Sequence, residues 1–220
     1  MVERRVAKLL AVDPGLSTCG WALFSLDTAL PLRVGTLSPP DRRELMPTRL
    51  KFLQRGAGVI LEKTGLGQGD FLVCEGAAHV ALNPRTSLLL EQVRTLFETL
   101  ARGCGAAVPG RVNPRSVQHQ LLGARGKQLR RDCVKALGKR AALQLYGELL
   151  SSLEYTRISC SKSRTGRVEQ DIFDALLVGT VAAVKIKQCF SSGLDVDVAF
   201  SSNSKKKLLR LSALMCGGGC

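Results

Sequence analysis

Short apolar runs that each stop at an acidic residue are the strongest constraint on what this chain can fold into. Residues 9–12 are apolar and are followed directly by Asp13 and by the dipeptide Pro14-Gly15. An apolar run of this length that ends at a Pro-Gly turn is typical of a buried strand. Asp13 is therefore predicted to stand at the tip of a buried strand, where its carboxylate is held rigidly and is no ordinary solvated charge.

Turn signals and apolar periodicity predict strands first, and then strands that alternate with helices. Further strands are predicted at residues 20–25, 33–37, 71–75 and 106–112, and helices at residues 45–64, 85–102, 130–150 and 170–188. The polar, basic stretch 151–167 is expected to be a loop. This order predicts an α/β fold, in which a mixed five-stranded sheet is flanked by helices.

The length of 220 residues suits one α/β domain, or a domain with a tail. We expect the domain to span residues 1–190, because from residue 191 the pattern gives way to a basic tail that ends in glycine and cysteine and is expected to be flexible. No apolar stretch approaches the roughly 20 residues that a membrane span requires, and the N-terminal residues do not resemble a secretion signal. The protein is expected to work inside the cell, with DNA, and not to be secreted.

The charge balance favours a polyanionic partner. The chain has 32 Lys and Arg residues against 18 Asp and Glu, a formal net charge of +14. This indicates nucleic acid, with a basic but inert surface as the alternative. Aromatic residues make up only 5% of the chain, which argues against a protein that binds single strands by base stacking.

The eight cysteines show no zinc-binding spacing and are expected to be reduced. Most of them lie singly in apolar segments, as small core residues do. The terminal pair Cys216 and Cys220 could instead form a disulfide or bind a metal.

Four acids stand in otherwise apolar elements of this basic chain: Asp13, Glu75, Asp171 and Asp174. Asp171 and Asp174 are three residues apart, so one helix face presents both. Carboxylates this close would repel one another unless a cation lay between them. Mg²⁺ prefers oxygen ligands, and two such ions about 4 Å apart stabilise both the attacking water and the leaving oxygen of a phosphodiester. The four acids thus favour a divalent-metal site, although the helix dipole would also explain Asp171 and, in part, Asp174.

Five stretches follow one another along the chain in a recognisable order. They are Asp13-Pro14-Gly15 with Gly20, Glu75 at a strand end, Asn83-Pro84-Arg85, Asn113-Pro114-Arg115-Ser116-Val117 with Gly123, and Asp171-Ile172-Phe173-Asp174-Ala175-Leu176. Over residues 6–188 they resemble the RuvC family of Holliday-junction resolvases. The resemblance implies a ribonuclease-H-like fold and a homodimeric endonuclease that cuts four-way DNA junctions with Mg²⁺, for which Mn²⁺ can substitute. It also implies that Asp13, Glu75, Asp171 and Asp174 are the catalytic, metal-binding carboxylates.

The sequence departs from the family where the family contacts the junction. No aromatic residue follows Glu75, where the chain reads Gly76-Ala77-Ala78-His79, so His79 either stacks in its place or is a surface histidine. Gln118 stands where the family has a lysine. These departures bear on junction selectivity more than on cleavage, and a diverged viral, phage or organellar member would fit them.

Basic residues near the predicted helices are candidates for DNA contact. Lys127, Arg131 and Lys135 recur at a spacing of four, so a helix would present them on one face to DNA phosphates. The other candidates are Arg115, Arg130, Lys162 and Arg164. The alternative for these residues is a solvated basic surface.

Other functions remain open at the level of sequence. The same fold could cut other branched DNA, such as flaps or nicked duplex, or could bind DNA without cutting it. The turn at Asp13 also resembles a phosphate loop of actin-like ATPases, but those proteins need about twice this length and a second such loop. The apolar side of the helix at 85–102 would serve either a dimer interface or the core.

Overall fold

A computed structural model of the chain describes residues 5–41, 43–77, 83–123, 130–160 and 165–201. Its strands are β1 Lys8–Asp13, β2 Cys19–Ser25, β3 Pro31–Ser38, β4 Phe71–Glu75, β5 Arg111–Val112 and β6 Glu154–Ser159. Its helices are α1 Met46–Thr64, α2 Pro84–Gly103, α3 Pro114–Leu121, α4 Arg131–Leu150, α5 Thr165–Ser192 and α6 Val196–Phe200.

The strands form one mixed sheet in the order β5-β4-β1-β2-β3-β6. Strand β2 is antiparallel to both β1 and β3, whereas the pairs β1–β4, β4–β5 and β3–β6 are parallel. The predicted α/β fold with a mixed sheet flanked by helices is confirmed.

The sheet has six strands where five were expected, because β6 lies in the stretch that was predicted to be a loop. Its polar sequence suits an edge strand, because half of its six residues are exposed and none is fully buried. It pairs with β3 over six residues, and the Tyr155 hydroxyl lies 3.1 Å from Thr36 Oγ1.

Two helical layers cover the sheet. Alternate residues of β1 point to opposite faces: Leu10 and Val12 pack with α1 and α2, whereas Leu9 and Ala11 pack with α3, α4 and α5. All four are completely buried. Strand β1 is therefore central, and Asp13 at its end is held in a rigid environment.

The packed body extends beyond residue 190. Helix α5 runs on to Ser192, and Ala199 and Phe200 of α6 are buried in the same core cluster as α5. Residues 202–220, with Cys216 and Cys220, lie outside the described residues. The six cysteines of the described part are free thiols, and none of its helices is long and apolar enough to cross a membrane.

Candidate active site

Asp13 and Glu75 are the last residues of neighbouring parallel strands. The register pairs Val12 of β1 with Cys74 of β4, so the two acids that follow lie side by side. They stand at the edge of the sheet that is formed by the carboxyl ends of these two strands. Both side chains are half-buried, and a hydrogen bond joins their carboxyl groups. The sequence prediction that both acids end adjacent strands is confirmed by this register.

Helix α5 brings the other two acids to the same edge. In the β1–β2 hairpin Gly20 lies opposite Asp13, and a Cβ atom added to Gly20 would stand only 1.9 Å from the carbonyl oxygen of Asp171. Only glycine therefore permits the backbone of α5 to approach the hairpin this closely. Asp174 lies one turn further along, where its Oδ1 accepts a hydrogen bond of 2.9 Å from Nε2 of Gln170.

The electrostatics show that the four acids act on one another. Burial raises the pKa of Asp13 well above its ordinary value, and repulsion from Glu75, Asp174 and Asp171 raises it further. Burial also raises the pKa of Glu75, to about 7, with Asp174 as the next contribution. The hydrogen bond from Asp13 and the charge of Arg94 offset part of that rise. The structure therefore brings the four sequence-predicted carboxylates into one electrostatic cluster.

The donor set suits a hard divalent cation. Among the described residues, no group of three or more His, Cys, Asp or Glu side chains already surrounds a single point as a metal site would. Mg²⁺ is usually held through only one or two carboxylates, with water and substrate phosphates as its other ligands. A hydrogen-bonded pair of carboxyl groups beside two more acids supplies oxygen donors and a negative potential, and so fits such an ion.

Two buried arginines support the strand ends, and sequence reasoning missed both. Arg94 of α2 donates hydrogen bonds to the carbonyl oxygens of Glu75 and Gly76, at 2.8 and 3.4 Å. Arg49 of α1 donates to the carbonyl of Leu16 in the turn after Asp13, and its Nε has no hydrogen-bond partner among the described residues. Both side chains are about 5% exposed. Their position beside apolar helix residues was the available signal, but it was obscured by the many other basic residues of the chain.

Part of the predicted DNA-binding set borders the cluster. Gly138 of α4 packs against α5, and a Cβ atom there would stand 3.9 Å from Oδ1 of Asp174. Lys135, half-buried, lies one turn before Gly138, and Lys139 places its Nζ 5.8 Å from the ring centroid of Phe173. This basic face of α4 is thus next to the carboxylates.

Of the other predicted contacts, some are exposed and the rest fall outside the part of the chain that the structure describes. Arg115 is exposed in the first turn of α3, which begins directly after β5. The side chain of Asn113 caps this turn by accepting a 2.8 Å hydrogen bond from the backbone nitrogen of Arg115. Arg130 is exposed at the start of α4, and Arg131 is the first residue of that helix. Lys127, Lys162, Arg164 and His79, and the side chain of Arg131, lie outside the described residues.

No protein-family description matches this sequence, and no curated protein does. Among solved structures the chain is similar to Thermus thermophilus RuvC in complex with a Holliday junction substrate, with a TM-score of 0.58 and 14% identity over 83% of this chain and 96% of that chain. The structure of Thermus thermophilus RuvC by itself gives 0.58 and 13%, over 82% and 96%. The yeast mitochondrial Holliday junction resolvase Ydc2 gives 0.46 and 14%, over 86% and 84%.

Proposed function

We propose that the chain is a metal-dependent endonuclease that resolves four-way DNA junctions. Its RuvC-like fold and its carboxylate cluster support this proposal. The observation that carries the proposal is the meeting of Asp13, Glu75, Asp171 and Asp174 at one sheet edge, where two of them have raised pKa values. Buried carboxylates that repel one another destabilise a fold. A bound cation would offset that cost, and a catalytic role would explain why the four carboxylates are kept together.

The reaction we propose is hydrolysis of a phosphodiester in a two-metal mechanism. Bound Mg²⁺, or Mn²⁺ in its place, would activate the attacking water and stabilise the charge on the leaving oxygen. Water forms a new bond to phosphorus while the bond to the 3′-oxygen breaks, which leaves a 5′-phosphate and a 3′-hydroxyl. The part of the chain is to hold cations through Asp13 and Glu75 on the strands and through Asp171 and Asp174 on α5.

The DNA would lie across the basic residues around the cluster. Lys135 lies on the face of α4 next to the carboxylates, and Arg115 is exposed at the start of α3, directly after β5; we assign both to the phosphates of the substrate. With a net charge of +14, electrostatic attraction brings DNA to the protein. Contacts of this kind fix the register of the DNA without reading its sequence.

A four-way junction has two equivalent strands to cut, which favours a homodimer with one site for each strand. Some apolar residues of helix α2 are buried in the core, and others are exposed. Val93 and Phe97 are fully buried in the core, whereas Leu88 is 67% exposed. Leu88, Leu96 and Leu100 line an open groove between α1 and α2, which we propose as the dimer contact.

The test is cleavage of a synthetic four-way junction with Mg²⁺, with flap, nicked-duplex, linear-duplex and single-stranded controls. Paired, symmetric nicks confined to the junction are the expected result. Equal cutting of flaps would favour the second candidate, a general branched-DNA nuclease, which the lack of an aromatic residue in Gly76-Ala77-Ala78-His79 supports. If no substrate is cut at any Mg²⁺ or Mn²⁺ concentration, the nuclease proposal is wrong.

A further inference from the structure

Arg94 stands in the middle of α2, directly behind the end of β4. Its guanidinium donates through Nε to the carbonyl oxygen of Glu75 at 2.8 Å and through Nη2 to that of Gly76 at 3.4 Å. The planar fork therefore joins the carbonyl groups of two successive residues, one of which carries a carboxylate of the site. Gly76 is fixed from the other side as well, since its N–H donates to the carbonyl of Val112 at 2.8 Å.

The two glutamates near Arg94 on α2, Glu91 and Glu98, do not need Arg94 as their ion-pair partner. Its ion pair with Glu91 is long, at 3.5 Å between Nη1 and Oε2, and Glu91 is 44% exposed. Arg111 approaches the same Glu91 at 2.6 Å and also pairs with Glu98 at 2.6 Å. Both glutamates thus keep a cation without Arg94. A buried charge is costly unless hydrogen bonds compensate it. The shortest hydrogen bond of Arg94 goes to the backbone carbonyl of Glu75.

We propose that Arg94 is a positioning residue for Glu75. By fixing the two peptide units that follow Glu75, it sets the direction in which the Glu75 carboxylate leaves β4 toward Asp13. The inference rests on the proposed metal site, to which it adds a residue that touches neither metal nor DNA. Partners that orient metal ligands in this way usually affect metal affinity by about 10- to 100-fold.

A positioning role and a purely electrostatic role predict opposite effects. The charge of Arg94 repels a cation near Glu75, but it also lowers the pKa of Glu75 and so favours the ionised carboxylate that binds the cation. Above the pKa of Glu75 the repulsion dominates, so at that pH a purely electrostatic role predicts that removal of the charge tightens metal binding. If the hydrogen bonds are what matters, the same removal weakens metal binding. Lysine separates the two further, because it keeps the charge but cannot present a planar two-donor fork.

The experiment measures Mn²⁺ binding to the full chain by titration calorimetry for the wild type, Arg94→Met and Arg94→Lys. Thermal unfolding and junction affinity in the absence of metal are measured beside it. Arg102→Met is the matched control, since Arg102 is exposed near the end of the same helix. We expect both Arg94 variants to bind Mn²⁺ about 10- to 100-fold more weakly and to bind the junction as the wild type does. The control should stay within about 2-fold of the wild type.

The outcomes distinguish a failure of the positioning role of Arg94 from a failure of the proposed metal site. Wild-type or tighter Mn²⁺ binding by both Arg94 variants overturns the positioning role and leaves the proposed nuclease intact. Weak binding by Arg94→Met alone, with Arg94→Lys like the wild type, assigns the effect to packing or to the ionisation of Glu75, and it also overturns the positioning role. If Arg94→Met does not fold, Arg94→Lys decides. If the wild type itself binds no Mn²⁺, the proposed metal site is wrong and the positioning role is wrong with it.

Discussion

The carboxylate cluster has two halves that are held in place by different means. The strand half, Asp13 and Glu75, is fixed by the ladder between β1 and β4 and by two arginines, which bind the backbone in the turn after β1 and at the end of β4. The helix half, Asp171 and Asp174, is placed by the packing of α5 on the hairpin, with its closest approach at Gly20. The strand half thus depends on hydrogen bonds to its own backbone, whereas the helix half depends on the packing of α5 against the hairpin, which a substitution in the hairpin can disturb.

The largest expected effect comes from removal of one charge in either half. Asp174→Asn or Asp13→Asn should lower the rate of junction cleavage by at least about 100- to 1,000-fold, the usual cost of losing one group that stabilises transition-state charge. Junction binding should remain close to that of the wild type, because the substitution changes a charge and not the fold. Single-turnover cleavage and gel-shift binding measure the two effects separately.

The control for these variants is Glu62→Gln, since Glu62 is an exposed acid on α1. It should cut at the wild-type rate. Wild-type cleavage by Asp174→Asn would instead remove the helix half from the site.

The next effect tests the helix half through a residue that has no charge. Gly20→Ala would place a Cβ atom 1.9 Å from the Asp171 carbonyl oxygen, so α5 must shift. We expect a loss of about 1–3 kcal/mol in the free energy of unfolding and a loss of about 100-fold in cleavage at a temperature where the variant is folded.

Gly58→Ala is the matched control for Gly20→Ala. Gly58 lies within α1, and a Cβ atom added there meets no atom within 4 Å. Alanine is favoured over glycine in a helix, so this variant should gain up to about 1 kcal/mol of stability and keep its activity. Normal cleavage by folded Gly20→Ala would show that the approach of α5 to the hairpin does not set the site.

The pH dependence of stability tests the strand half. The pKa of Glu75 is raised from 4.5 to about 7 by burial and by Asp174, so the folded state holds this proton more tightly than the unfolded chain does. Metal-free protein should therefore lose stability as the pH rises from 4.5 to about 7, by up to about 3 kcal/mol. Urea unfolding at pH 5 and pH 8 measures the loss.

Glu75→Gln should reduce this pH dependence because the amide cannot ionise, and the part that remains comes from Asp13, whose pKa is raised by burial as well. Glu62→Gln should retain the full dependence. Added Mg²⁺ should stabilise the wild type more at pH 8 than at pH 5, since it binds the ionised carboxylates of the folded state. An unchanged pH dependence in Glu75→Gln would contradict the electrostatic coupling within the cluster.

The smallest effect is expected at the basic face of α4. Lys135→Ala should weaken junction binding by a few-fold and lower the slope of log K against log salt concentration by about 1, as the loss of one phosphate contact does. Lys63→Ala is the control, because Lys63 is exposed in the last turn of α1, near the start of β1 and away from the strand ends. Equal salt slopes for Lys135→Ala and the wild type would remove α4 from the DNA surface.

The strand half could be predicted from the sequence, because an apolar run that stops at an acid shows both the strand and its tip. The spacing of Asp171 and Asp174 on an apolar helix likewise predicted that one face carries both. Strand β6 could not be predicted, since its polar residues follow no two-residue alternation and its pairing with β3 spans more than 110 residues of chain.

The support of the cluster was also hidden from the sequence. Arg94 differs from the other arginines only in its surroundings, which the fold creates. The role of Gly20 depends on the approach of a helix that begins about 145 residues later in the chain.

The most direct test of the account is a crystal structure with Mn²⁺, in which anomalous scattering locates the metal. We predict anomalous peaks at the sheet edge, with Asp13 and Glu75 bound on one side and at least one of Asp171 and Asp174 on the other. Peaks away from these carboxylates, or bound carboxylates with no contribution from α5, would contradict the claim that the two halves form one metal site.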